Sequence, residues 1–139
     1  MTKYLLDTNV VSELRKQRPH GAVLAWYRSV GADQLFVCAA TFGELQAGVE
    51  KTRQQDPQKA QEIESWIEEI SQHSQSLFMD VACFREWGRL KHRKPDQILE
   101  DALIAATARV HDLTVATRDE ADFKDFDVEI FNPFKFPRS

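Results

Sequence analysis

Tyr4-Leu5-Leu6-Asp7-Thr8-Asn9-Val10-Val11, residues 4–11, is the stretch on which the fold turns. Three apolar residues end at an aspartate, two polar residues follow, and Val10, Val11 and Leu14 then recur at helical spacing. The reading is strand, turn, helix, with an acid where the strand stops. Leu35-Phe36-Val37-Cys38-Ala39 opens a second such unit, a continuous apolar run of the kind buried on both sheet faces. Thr41 is a candidate N-cap after it, with Glu44 three residues later as capping-box partner and Phe42, Leu45 and Val49 as the apolar face. Leu113-Thr114-Val115-Ala116-Thr117 is a further strand, with Asp119 two residues beyond its end, and Val128-Glu129-Ile130-Phe131 is the last, stopped by Asn132-Pro133. Strands alternating with helices imply an α/β chain with a mainly parallel sheet flanked by helices.

The intervening segments read as helices. Val23, Trp26, Tyr27 and Val30 repeat at helical spacing and stop at Gly31, a suitable C-terminal glycine. Asp56-Pro57 opens a helix carrying Ile63, Trp66, Ile67 and Ile70. Leu77-Phe78-Met79 reads as a short strand before a helix with Val81, Phe84, Trp87 and Leu90, which runs into Lys91-His92-Arg93-Lys94-Pro95. Ile98 to His111 is Ala-rich and apolar on most sides, as expected of a helix lying close against a sheet. The 139 residues, 42% hydrophobic and 29% charged, make one domain, 1–139, with enough chain to bury its own core. No apolar run approaches the roughly 20 residues that cross a bilayer, and the N-terminus lacks a signal-peptide pattern, so a cytoplasmic protein without membrane contact is expected. Cys38 and Cys83 lie in apolar stretches without metal-ligand spacing and read as buried reduced thiols. The balance of 22 acids against 18 bases, a net charge of −4, argues against a general basic nucleic-acid-binding module. It is compatible with a carboxylate cluster whose charge bound cations cancel.

In parallel sheets, ligands bind at the carboxyl ends of the strands. That rule singles out Asp7 and Asp119 after two strands, and Glu44 and Asp101 near the starts of two helices that face the same rim. Four carboxylates in one cleft repel unless a divalent cation offsets them, and an all-oxygen set suits Mg²⁺ or Mn²⁺. Each acid also has a purely structural reading. Asp7 can cap its helix, Glu44 can complete the Thr41 capping box, Asp101 beside Glu100 can complement a helix dipole, and Asp119 with Asp122 can line a solvated loop. The common edge, rather than any one acid, carries the metal-site reading.

The segments Leu5–Val10, Thr41–Gly48, Glu100–Ala108, Ala116–Phe123 and Asn132–Phe134, in this order and spacing, resemble the PIN-domain ribonucleases, in particular the VapC toxins of toxin–antitoxin pairs and their FitB-like relatives. The resemblance spans nearly the whole chain and implies a three-layer PIN-like α/β fold. It implies metal-dependent endoribonuclease activity, with Asp7 and Asp101 as principal ligands of Mg²⁺ (or Mn²⁺), Glu44 as a ligand or orienter of the attacking water, and Asp119 as the remaining acidic wall. Many relatives carry Asn where Asp119 stands and an acid where Asp122 stands, so either can be the fourth acid; Asp119 is favoured because it is nearer the strand end. Thr8 is a candidate to position Asp7. The resemblance also implies an RNA substrate, a cognate VapB-type antitoxin that masks the site, and self-association into a homodimer, with Leu14, Trp26 and Trp66 as interface or core residues.

A positive approach for RNA is available from Arg89, Lys91, Arg93 and Lys94, with Arg118 beside the acidic wall, although a basic helix end is also what the helix dipole favours. Among His20, His73, His92 and His111 no metal-ligand spacing is seen, and His111 closes its helix. Phosphotransfer through an aspartyl phosphate is disfavoured by Asn9 two residues after Asp7, and a receiver domain by Arg118 where a lysine is needed. The remaining alternative is a PIN-fold binding module without catalysis.

Overall fold

The computed structural model describes residues 1–93 and 99–137. Lys94, Pro95 and Ile98, which the sequence reading used for the basic run, its stop and the next helix start, lie outside the described residues, as does the side chain of Arg93. The elements are β1 (Tyr4–Leu6), α1 (Thr8–Arg15), α2 (Gly21–Ser29), β2 (Leu35–Cys38), α3 (Ala39–Arg53), α4 (Pro57–His73), β3 (Gln75–Leu77), α5 (Val81–Arg93), α6 (Leu99–His111), β4 (Thr114–Ala116), α7 (Glu120–Phe123) and β5 (Ile130–Phe131). No helix among the described residues is long and apolar enough to cross a membrane.

The five strands form one parallel sheet in the order β3-β2-β1-β4-β5. Strand β1 is central, with Leu6 level with Val37 of β2 and with Ala116 of β4. This register ends the three middle strands at one height, so the residues that follow them share one edge. The connections run outward from β1 to β2 and β3, then return to the other side of β1 at β4. The gap between β1 and β4 is thus the topological switch point, where the loops leave in opposite directions.

Period-two alternation divides the core. Leu5 faces a cluster with Cys38, Val115, Phe123, Phe126 and the alanines of α6, whereas Leu6 faces Val10, Val11, Val23, Trp26 and Val37. Helices therefore cover both faces, giving three layers. Helices α3 and α4 form a hairpin around Val49, Ala60 and Ile67. In α6, Ala102, Ala105, Ala106 and Ala108 are all buried, so small side chains let this helix lie close to the sheet. It ends at His111 as expected, through Asp112 at φ 56° and a Leu113 N–H to Ala108 carbonyl bond of 2.9 Å. Aspartate tolerates that left-handed turn better than most residues.

Three local expectations are corrected. Helix α2 stops at Ser29 with Val30 extended, and Gly31, at φ −76°, is not a left-handed cap but opens a single 3₁₀ turn. Strand β3 is Gln75–Leu77 rather than 77–79, because an edge strand needs no continuous apolar run; Phe78 beyond it is 81% exposed. Strands β4 and β5 are shorter than their apolar runs: β4 pairs with β1 over Thr114–Ala116 and with β5 at Val115 and Ala116. Of the two readings for Trp26 the core one holds: it is buried and packs edge-on to Tyr4 at 5.1 Å.

The close seating of α6 predicts intolerance to bulk. Ala105→Leu should lower the unfolding free energy by about 1–3 kcal/mol, the usual cost of overpacking a filled core. Urea denaturation checks this; an unchanged midpoint would mean that α6 is not tightly seated.

Candidate active site

Asp7 follows β1 and caps α1: its Oδ1 accepts from Thr8 N–H at 2.8 Å, and its carbonyl accepts from the N–H groups of Val10 and Val11. The capping reading is therefore correct, but it uses one carboxylate oxygen. Oδ2 accepts from the Thr117 hydroxyl at 2.7 Å and from Asn9 Nδ2 at 3.1 Å. Burial raises the Asp7 carboxyl above its ordinary range, opposed by the Thr117 and Thr8 hydrogen bonds and reinforced by the charges of Asp119 and Asp122.

Glu44 lies on α3, and here the capping-box expectation fails. Cys38 leads straight into the helix at Ala39 with no side-chain cap, because the apolar run of β2 continues into the first turn. Thr41 is then inside the helix, buried, with no partner for its hydroxyl among the described residues. Glu44 instead accepts the Thr8 hydroxyl at 2.7 Å through Oε1. Thr8 hydrogen-bonds Asp7 as expected, through its backbone N–H, while its hydroxyl goes to Glu44. Burial raises the Glu44 carboxyl, opposed by the Thr8 bond and reinforced by the charges of Glu100 and Asp7.

Asp101 stands in the first turn of α6. Its carboxyl is pushed up to about 7, first by burial and then by the negative charges of Asp7, Asp122, Glu44 and Asp119. Its Oδ2 is buried without a hydrogen-bond partner among the described residues. Asp119 is exposed at the start of α7, makes no side-chain cap, and accepts from Asn9 Nδ2 at 3.1 Å. Both Asp119 and Asp122 act on Asp7 and Asp101, with Asp122 the stronger on Asp101 and Asp119 the stronger on Asp7.

Asp7, Glu44 and Asp101 thus come within electrostatic reach of one another and Asp119 within reach of Asp7 and Asp101, joined by Asp122 and, beside Glu44, by Glu100. Their oxygens are held by Thr8, Asn9 and Thr117 rather than drawn to one point, and among the described residues no three acids, histidines or cysteines close a coordination cage. The donor set nevertheless fits a hard divalent cation: it is all oxygen, mutually repulsive, and includes one buried carboxylate oxygen without a donor among the described residues. Two contributors were not read as such from the sequence. Asn9 bridges Asp7 and Asp119 and accepts the Arg118 N–H at 3.2 Å, and buried Thr117 links Asp7 to the Asp119 N–H, which it accepts at 2.9 Å. The only sequence signal for either was a polar residue beside a strand end.

The basic run is less available than its composition suggested. Arg89 is paired with Glu86 at 2.8 Å, and Lys91 also has an electrostatic or hydrogen-bonding partner. His20 has a structural role: its Nδ1 accepts from Ala22 N–H at 3.2 Å and caps α2.

Comparison with known proteins agrees with this arrangement. The PIN domain family matches residues 4–129. The chain is 33% identical over 137 residues to Toxin FitB of Neisseria gonorrhoeae, covering 94% of this chain and 97% of that protein. It is 31% identical over 142 residues to VapC ribonuclease Y4jK of Sinorhizobium fredii, covering 94% and 97%. The crystal structure of FitAcB from Neisseria gonorrhoeae superimposes with a TM-score of 0.82 at 33% identity, covering 94% of this chain and 98% of that one. With the α/β architecture, the acids at the switch point and this similarity over nearly its full length, the chain belongs to the PIN-domain family.

Proposed function

We propose that this chain is a metal-dependent endoribonuclease, the toxin of a toxin–antitoxin pair, that hydrolyses RNA phosphodiester bonds with Mg²⁺ or Mn²⁺. The observation that carries the reading is the set of mutually repelling acids at the β1–β4 switch point, with a buried oxygen on Asp101 that has no hydrogen-bond partner among the described residues. The names of the relatives, a toxin and a VapC ribonuclease, support it.

Asp7 and Asp101 would hold the cation. When bound, a hard divalent cation offsets charge on the scissile phosphate and acidifies water. Glu44 has Oε1 taken by Thr8, which leaves Oε2 to accept a proton from the attacking water, and its raised carboxyl suits a general base. Thr117 and Asn9 keep Asp7 in one orientation, while Asp119 and Asp122 complete the acidic wall. No covalent nucleophile is required.

The same reading supplies an antitoxin partner. Leu14, Leu24, Tyr27, Trp66 and Ile70 line an apolar groove between α1, α2 and α4 that suits a partner segment, and a guanidinium from that partner can offset the clustered carboxylates bidentately. Self-association into a homodimer belongs to the same proposal.

Asp7→Asn and Asp101→Asn should each lower RNA cleavage by roughly 100-fold or more with the fold retained, and chelator should stop the parent, because each change removes ligand charge at nearly constant volume. A gel assay with circular dichroism as fold control decides; near-parent turnover in either variant, or activity in excess chelator, would sink the assignment.

The Asp101 carboxyl gives a pH prediction. Its folded-state value of about 7 lies above the ordinary 3.8, so its contribution to stability is complete below about pH 4 and is lost as pH rises through about 7. In chelator, Asp101→Asn should therefore melt above the parent at pH 8, with the difference closing toward pH 5, and Mg²⁺ should stabilise the parent more than the variant. A variant that melts lower at pH 8 and shifts equally with Mg²⁺ would make Asp101 a structural helix-terminal acid.

For the partner, antitoxin variants with arginines changed to alanine should bind but inhibit cleavage poorly. Full inhibition by those variants in the same assay would place the block outside the acidic site.

A further inference from the structure

Arg118 sits between Thr117 and Asp119, yet among the described residues its guanidinium pairs with no carboxylate. A cation beside so many acids would be expected to fold onto them and neutralise the site. It is instead stacked over the Phe134 ring, with its central carbon 4.7 Å from the ring centroid. Two further contacts hold this arrangement. The Arg118 backbone N–H donates to Asn9 Oδ1 at 3.2 Å, the same asparagine that bridges Asp7 and Asp119. Phe134 is held by Asn132, whose Oδ1 accepts the Phe134 N–H at 2.9 Å, and by a T-shaped contact with the His20 ring, centroids 5.2 Å apart.

The platform thus draws on three separated segments: the α1–α2 loop, the β4–α7 loop and the C-terminal turn. Each is anchored independently. His20 is tied down by its backbone N–H to the buried carboxylate of Glu13 at 2.9 Å, and Asn132 is itself buried. An exposed arginine normally loses rotamer entropy when it grips a ligand; one already stacked on a ring has lost part of it beforehand. With its central carbon held over the ring and no carboxylate paired to it among the described residues, the guanidinium keeps N–H donors for a ligand, and such a fork matches two oxygens of a phosphodiester.

We propose that Arg118 is the residue that grips the RNA backbone phosphate next to the scissile one, with Phe134 and His20 as positioning residues that keep it off the acids. The proposal rests on the ribonuclease reading and deepens it: the site receives its polyanionic substrate through one preoriented cation rather than through a general basic surface.

The test uses the full-length chain and a fluorescein-labelled 15-nucleotide poly(U) RNA, with binding read by anisotropy in chelator across a series of KCl concentrations. Arg118→Gln should weaken binding about tenfold at low salt and reduce the slope of log affinity against log salt by about 0.7, the loss of one single-strand phosphate contact. Phe134→Leu should also weaken binding, Phe134→Tyr should restore it, and Arg118→Gln/Phe134→Leu should bind no more weakly than Arg118→Gln alone. In cleavage assays the Arg118→Gln loss should fall on KM more than on kcat. Parent-like affinity and slope in Arg118→Gln, an exposed position that folding tolerates, would overturn the proposal while leaving the nuclease reading intact. Additive losses in the double variant would overturn the positioning role of Phe134. A parent that neither binds nor cleaves RNA would remove both readings.

Discussion

The Thr117 hydroxyl donates to Asp7 Oδ2 at 2.7 Å across 110 residues of sequence, in a buried setting. A buried carboxylate is tolerable only when hydrogen-bonded, and Asp7 has donors from Thr8, Asn9 and Thr117. Those donors come from both sides of the switch point, so the bonds that make Asp7 bearable also tie the end of β1 to the end of β4. The parallel register makes this possible, because Leu6 and Ala116 are level and the next residue on each strand meets its counterpart. Asp7 N–H to Ala116 carbonyl at 2.9 Å continues the ladder into the site itself.

From that tie the remaining acids follow. Helix α6 can bring Asp101 to the same rim only because its alanines let it lie close to the sheet. Its other end is braced by Arg109, which reaches Glu86 on α5 at 2.7 Å and Asp127 at 3.2 Å. One end of α6 therefore holds opposite charges in contact and the other holds like charges together. Burial first, and then the neighbouring negative charges, raise the carboxyls of Asp7, Glu44 and Asp101, so this end of the fold costs stability, in keeping with the general pattern in which local inconsistency collects at a functional site.

Neutral polar residues, rather than bases, manage this repulsion. Thr8, Asn9 and Thr117 orient carboxylates without cancelling their charge, whereas Arg118, the adjacent base, is turned onto Phe134. The acids thus keep their negative charge and the Arg118 guanidinium stays apart from them, a separation that the proposed binding of a cation and a polyanion at one site would require.

The apolar runs and their periodicity were enough to establish the α/β class, the order of the strands along the chain, and Asp7, Glu44, Asp101 and Asp119 as acids on one edge, because the alternation of strand and helix and the residue after a strand are local properties. The sheet order and the division of Leu5 and Leu6 between two core faces were decided only by tertiary packing. So were the partners of the acids. Thr8 meets Glu44 across 36 residues and Asn9 meets Asp119 across 110, and no periodicity encodes contacts at such separations. Local preference even misled at Thr41 and Gly31, where a cap was expected: the apolar run into α3 and the 3₁₀ turn before β2 fixed those backbones instead. What local sequence determines is which residues a strand end presents; which of them share hydrogen bonds depends on the register of strands that are far apart in the chain.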